Sequence, residues 1–378
     1  MMISAYAAIQ SSDTEELIER GTGEGGYDLV AVSFHTDPRG VAYEQLIDWL
    51  IEKTDRFLLV DRRRYDNDEV PGVSRVLQRL KPYLIESCTM EEMMMQSGAM
   101  YSEGIYYIYR CTPESGQILK EEANRFHDWL YPSLPDDLCF LKADRSDFFF
   151  SVAHENIYGM RITQEEASQL MERITGLFFD LHRHRDVQCL LDDAIKHQTD
   201  ILNISSHGLT EIPERIRELK QLKQLTIFEQ DLYMLPPALF ELTSLERLEI
   251  MTLDLECIPG DIGKLKELRE LRIYCGSPFA SVPGWRPKPQ SELGLKCIPP
   301  EIGELSNLKY LEIVYSGIRD FPPELEKLKN LRALLVTNSL IEETPDIITR
   351  MNWLEYVDLM NIPFGTSWQE VWDMKKDQ

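Results

Sequence analysis

Residues 248–273, LEIMTLDLECIPGDIGKLKELRELRI, carry the pattern on which the C-terminal half of the chain is built. The stretch opens and closes on L-x-I, with I-P-x-x-I-x-x-L-x-x-L between. Residues 225–250, LTIFEQDLYMLPPALFELTSLERLEI, run through the same positions 23 residues earlier. Pro213, Pro236, Pro259, Pro299, Pro322 and Pro345 keep the register, at intervals of 23, 23, 40, 23 and 23. The first apolar residues of the strand cores follow suit: Leu202, Leu225, Leu248, Leu271, Leu311, Leu334 and Val357. In extended chain alternate side chains face opposite ways, so the Leu and Ile of each L-x-I share one face. One repeat cannot bury that face alone, whereas stacked repeats make a continuous core. Each proline opens a helical turn, where its missing N–H costs little.

This register resembles the leucine-rich repeat family in its 23-residue IPxxIGxLxxLxxL form, over about residues 186–362. The resemblance implies a solenoid with a parallel concave sheet and a protein-binding role. The chain departs from the family at the position that usually holds Asn or Cys. His207, Gln230, Leu253, Gly276, Ser316 and Ser339 stand there, so an asparagine ladder is not expected and the loops should be less regular. Both ends read as capped. Residues 186–198 form a helix with Leu190, Leu191, Ala194 and Ile195 on one face. Residues 366–376 place Trp368, Val371 and Trp372 together, with Ser367 and Glu370 as a capping box.

The interval of 40 marks an insertion at residues 274–295, YCGSPFASVPGWRPKPQSELGL. The excess of 17 (40 less 23) falls between a strand and the next proline, where a solenoid accepts added chain. Phe279 and Trp285 are its candidate anchors, and Arg286 and Lys288 make it locally basic. The insertion either contacts a partner, folds over the acidic concave face, or serves as a spacer.

One place after each L-x-I lies an outward row: Phe228, Met251, Tyr274, Val314, Thr337 and Met360. The row two residues earlier holds Thr226, Glu249, Arg272, Glu312, Leu335 and Asp358. The row one residue later, with Glu229, Thr252, Cys275, Tyr315, Asn338 and Asn361, is expected to flank the stripe on its other side. An apolar stripe with an acidic and polar rim suits a protein partner. The stripe could equally pack against the N-terminal region or the insertion. The candidate partner-binding residues are therefore Phe228, Met251, Tyr274, Val314, Tyr315, Met360, Glu249, Arg272, Glu312, Asp358, Phe279 and Trp285.

The formal net charge of −24 opposes nucleic-acid binding and suits a partner with a basic surface. No apolar run approaches the length of a membrane span, and no signal peptide stands out, so a cytosolic protein is expected. Seven dispersed cysteines form no CxxC pair and read as reduced thiols; Cys257 and Cys297 occupy equivalent places in adjoining repeats. No cofactor or metal site is expected.

Residues 1–180 mix strands and helices without a clean alternation, so a mixed α/β or α+β domain is expected. Residues 181–200 form a linker and capping helix, and residues 201–378 the solenoid. Helices are expected over VAYEQLIDWLIEKT, VSRVLQRLKPYLIE (with a stop or kink near Pro82), QILKEEANRFHDWLY and TQEEASQLMERITGLFFDLH, the last opened by Thr163 and Glu166. Gly21, Gly23 and Gly26 match G-x-G-x-x-G, but the order of flanking elements is reversed, which marks a turn. Residues 127–155, HDWLYPSLPDDLCFLKADRSDFFFSVAHE, resemble a segment of small uncharacterised proteins from Bacillus and relatives, some called stage III sporulation proteins. That resemblance implies a bacterial origin and transfers no catalytic residue. Protein recognition without catalysis is the expected function, in the manner of an immunity or regulatory protein for a basic partner. The alternative is an enzyme with a site in the N-terminal domain near Asp144 and His154, beside Asp147 and Glu155; as neighbours on a strand, His154 and Glu155 should face opposite ways and not share a site.

Overall fold

A computed structural model describes residues 30–63, 70–92, 104–253, 255–276 and 294–361. The glycines at 21–26, the insertion anchors Phe279 and Trp285, and the expected C-terminal cap lie outside them. The chain divides into two compact units, Met1–Arg183 and His184–Gln378.

The first unit contains β1 (Val30–Ser33), α1 (Val41–Lys53), β2 (Arg56–Asp61), α2 (Pro71–Leu80), β3 (Leu84–Thr89), β4 (Ile105–Arg110), α3 (Pro113–Glu122), β5 (Asp136–Leu141), β6 (Asp147–Val152), β7 (Ile157–Ile162) and α4 (Gln164–Arg173). The strands form one sheet in the order β1-β7-β6-β5-β2-β4-β3, and every pairing is antiparallel. Of the two classes expected, the unit is therefore α+β. Phe57 stacks on Tyr109, and Phe126 lies 4.5 Å from Phe149 between ring centres. Tyr43 of α1 accepts from Trp129 Nε1 at 2.9 Å and donates to the Leu119 carbonyl at 3.3 Å, so the buried polar ends of both rings are satisfied.

One helix stops where a break was expected, and two others are shorter than the sequence predicts. The helix expected over VSRVLQRLKPYLIE stops near Pro82 as read, at Leu80 with a short 3-10 turn over Lys81–Tyr83, and the residues beyond it form a strand. Pro82 has no N–H for a helical bond, and Leu84–Thr89 pairs with β4 instead. The helix expected to reach Tyr131 stops at Glu122. Asp37 accepts the backbone N–H groups of Phe126 and His127 at 3.0 and 3.2 Å, which ties that segment into a separate turn. The helix opened by the Thr163–Glu166 capping box ends at Arg173. His182–Arg185 is a distinct 3-10 turn.

The second unit begins with α5 (Val187–Lys196). It continues with β8 (Ile201–Ser205), β9 (Gln224–Phe228), β10 (Arg247–Met251), β11 (Glu270–Tyr274), β12 (Tyr310–Val314), β13 (Ala333–Thr337), α6 (Asp346–Arg350) and β14 (Tyr356–Asp358). These strands form one parallel sheet in chain order, each aligned on the next residue for residue. Leu271 pairs with Leu311 as Leu248 pairs with Leu271, so the 40-residue interval leaves the register intact. Pro213, Pro236, Pro259, Pro299 and Pro322 each precede a five-residue 3-10 turn, and Pro345 precedes α6. The unit is a leucine-rich-repeat solenoid with the L-x-I (in β13, L-x-V) residues of β8 to β13 buried, whereas Val357 on the last strand, expected in the core, is 39% exposed.

Candidate functional site

Alternation along the parallel strands turns three rows to the open face of the concave sheet. The first runs Gln224, Arg247, Glu270, Tyr310, Ala333 and Tyr356, and the second Thr226, Glu249, Arg272, Glu312, Leu335 and Asp358. The third runs Phe228, Met251, Tyr274, Val314 and Thr337, with Met360 just beyond the last strand. Phe228, Met251 and Tyr274 are half-buried neighbours on successive strands. Val314 is 9% exposed and Asp358 8%, so neither offers much surface.

Of the row expected to flank the stripe, Glu229, Thr252, Cys275 and Tyr315 point inward and are buried, whereas Asn338 is half-buried and Asn361 exposed. The ladder continues one residue past each strand: Glu229 N–H bonds the Met251 carbonyl, Thr252 that of Tyr274, Cys275 that of Val314, and Tyr315 that of Thr337. The pleat therefore alternates once more, and the residue after the outward row faces the core. Tyr315, expected at the partner surface, is 7% exposed, with its ring against Gly276. The row that sequence reasoning missed holds Arg247, Glu270 and Tyr310. Counting the same two-residue period backwards from each L-x-I would have found it.

These outward residues form a network. Arg247 Nη2 donates to Glu249 Oε2 at 3.0 Å, and Arg272 Nη2 to Glu270 Oε2 at 3.3 Å. The Arg272 guanidinium carbon lies 4.6 Å from the centre of the Tyr310 ring. Tyr274 Oη and Tyr310 Oη both donate to Glu312 Oε2, at 2.8 and 3.1 Å. Burial pushes the Tyr310 hydroxyl up to about 12, and the Glu312 charge adds to the shift. Burial followed by Glu312 also raises Tyr274. Both hydroxyls therefore stay protonated and remain donors at neutral pH.

The row that follows the stripe replaces the missing asparagine ladder. Glu229 accepts the backbone N–H groups of His207 and Leu209 at 2.7 and 3.0 Å. Thr252 Oγ1 donates to the Leu232 carbonyl at 2.5 Å, and Asn361 Oδ1 accepts Ser339 N–H at 2.9 Å. Side chains of different types thus bridge successive turns, one place earlier than the family pattern.

The four residues of the enzyme alternative are not gathered in one place. Asp144 accepts from Ser146 N and Oγ at 2.9 and 2.6 Å, capping the turn before β6. Asp147 begins β6, whereas His154 and Glu155 follow its other end, roughly 17 Å away for a strand of this length. His154 and Glu155 do meet, at 3.6 Å, because a 3-10 turn holds them where a strand was expected. What does gather near His154 is a clamp: Arg62 pairs with Asp136 and, at 2.8 Å, with Asp137, while Asp137 Oδ1 accepts Ala153 N–H at 2.9 Å. Both Arg62 carboxylate partners are almost fully buried, and their geometry fastens the turn at Ala153–Glu155 to β5.

Cys257 and Cys297 are exposed free thiols. Among the described residues no helix is long and apolar enough to cross a membrane.

No protein-family model and no curated protein sequence matches the chain. Among solved structures, the leucine-rich repeat domain of the type III effector XopL is 24% identical, with a TM-score of 0.39 over 53% of this chain and 66% of that one. A leucine-rich repeat protein of Leptospira interrogans is 24% identical over 45% of this chain and 46% of its own length, with a TM-score of 0.34. An internalin of Listeria monocytogenes is 16% identical over 49% and 54%, with a TM-score of 0.30. This chain spans less than two thirds of each of them.

Proposed function

We propose that this chain is a non-catalytic recognition protein that holds a basic protein partner against its concave sheet, in the manner of an immunity or regulatory protein. The observation that carries the reading is the half-exposed stripe Phe228, Met251 and Tyr274, bordered by Glu249, Arg272 and Glu312. Aromatic and Met side chains on a preformed surface gain by being covered, and a charged rim selects what covers them. The chain's charge of −24 favours encounter with a basic surface. Met360 would extend the docking surface, and Phe279 and Trp285 would add contacts from the insertion.

A pull-down from cells of the source organism, with the whole chain as bait, tests this. The Phe228→Ser/Met251→Ser variant should lose the protein captured by the wild type, and capture should weaken at high salt. A partner held equally by both baits, or held indifferently to salt, would overturn the reading.

A further inference from the structure

Glu312 stands on β12, one strand from the middle of the concave sheet, with two tyrosine hydroxyls on one of its oxygens. Hydroxyls orient a carboxylate without neutralising it. Among the described residues Glu312 has no cationic partner, since Arg247 and Arg272 spend their short contacts on Glu249 and Glu270. The charge of Glu312 is thus held in place, with Oε1 left over from the tyrosine bonds.

Arg272 is poorly served where it lies. Its guanidinium covers the Tyr310 ring, its Nη2 makes one contact at 3.3 Å, and its buried Nε makes no hydrogen bond. A fixed carboxylate beside an aromatic face is the chemistry that receives a guanidinium or ammonium group. Arginine fits better than lysine, because its plane stacks on the ring while its edge meets the carboxylate.

We propose that Tyr274, Tyr310 and Glu312 form the receptor for one arginine side chain of the partner, and that Arg272 occupies the Tyr310 face until that arginine displaces it. The inference rests on the concave sheet being the docking face, and it names the group that docks. Arg272 then acts as an internal competitor, which sets a threshold that diffuse positive charge does not meet.

The test uses the full chain, a hexa-arginine peptide and its hexa-citrulline counterpart. Citrulline keeps the shape of arginine and removes its charge. Affinity is read by calorimetry, and location by the ring resonances of carbon-13-labelled tyrosine, assigned with Tyr274→Phe and Tyr310→Phe. Hexa-arginine should shift both tyrosines, and hexa-citrulline neither. Glu312→Gln should weaken binding about tenfold or more. Glu267→Gln removes the same charge from an exposed position outside the sheet and should change little. Arg272→Met should tighten binding roughly threefold by freeing the ring. Equal losses in Glu312→Gln and Glu267→Gln would mean diffuse attraction and overturn the proposal. Weaker binding by Arg272→Met would overturn it too, because a competitor for the Tyr310 face cannot cost affinity by being removed. If the peptide fails while the stripe variant still loses its pull-down partner, the receptor falls and the docking face stands. If both fail, both fall.

Discussion

Glu229 shows how one side chain replaces a family motif. Burial alone would raise its pKa, yet the His207 side chain and the backbone N–H groups of His207 and Leu209 hold it below the ordinary 4.5. A depressed carboxylate stabilises the fold above its unfolded value, and that contribution is lost as pH falls through the lower folded value. Stability should therefore decline below about pH 4.5, and Glu229→Ala should flatten that part of the profile. The same variant should cost about 2 kcal/mol at neutral pH, because two backbone donors lose their acceptor. Denaturant unfolding across pH measures both. Arg62 makes a comparable point in the first unit. Arg62→Ala would leave Asp136 and Asp137 buried without their cation, and should destabilise by about 3 kcal/mol in thermal unfolding. Neither role is visible in the local sequence, since Glu229 reads as one more acidic residue and Arg62 as one more surface base.

At the scale of elements, the turns opposite the sheet set how closely repeats stack. A Cβ on Gly303 would lie 2.4 Å from the Glu324 carbonyl oxygen of the next turn, a backbone atom that cannot swing aside. At Gly263, in the preceding repeat, the nearest atoms lie at 3.1 and 3.2 Å. Gly303→Ala should therefore destabilise the solenoid by about 2 kcal/mol, and Gly263→Ala by less, as read from paired unfolding curves. The insertion belongs to this scale as well. Its flanking strands pair as if it were absent: Cys275 N–H reaches the Val314 carbonyl at 2.9 Å and Gly317 N–H the Gly294 carbonyl at 2.9 Å. Removing the excess 17 residues should leave unfolding cooperative and the midpoint within a few degrees; loss of a single transition would show that the insertion holds the stack together. In the first unit, element boundaries moved where the sequence pattern was ambiguous. VSRVLQRLKPYLIE keeps an apolar rhythm through Glu86, but the backbone beyond Pro82 finds its hydrogen bonds on β4.

For the whole molecule, the repeat made much of the second unit legible, including its strands, its turns and its inward Leu and Ile residues. The outward stripe was legible too, whereas Tyr315 was assigned to the wrong face by one residue of alternation. The Tyr274–Glu312 contact spans 38 positions and is found only once the parallel register across the insertion is known. The first unit yielded less. Its α+β class, its Asp37 tie to Phe126 and its Arg62 clamp join residues that no period relates. A stacked repeat meets its neighbour at a constant spacing along the chain, so periodicity alone names the pairing and the buried face. An antiparallel sheet of crossed order, and the polar contacts that lock its turns, bring together residues at arbitrary separations. Those contacts follow from which surfaces pack and which buried groups must find partners, and that choice is made by the folded chain as a whole.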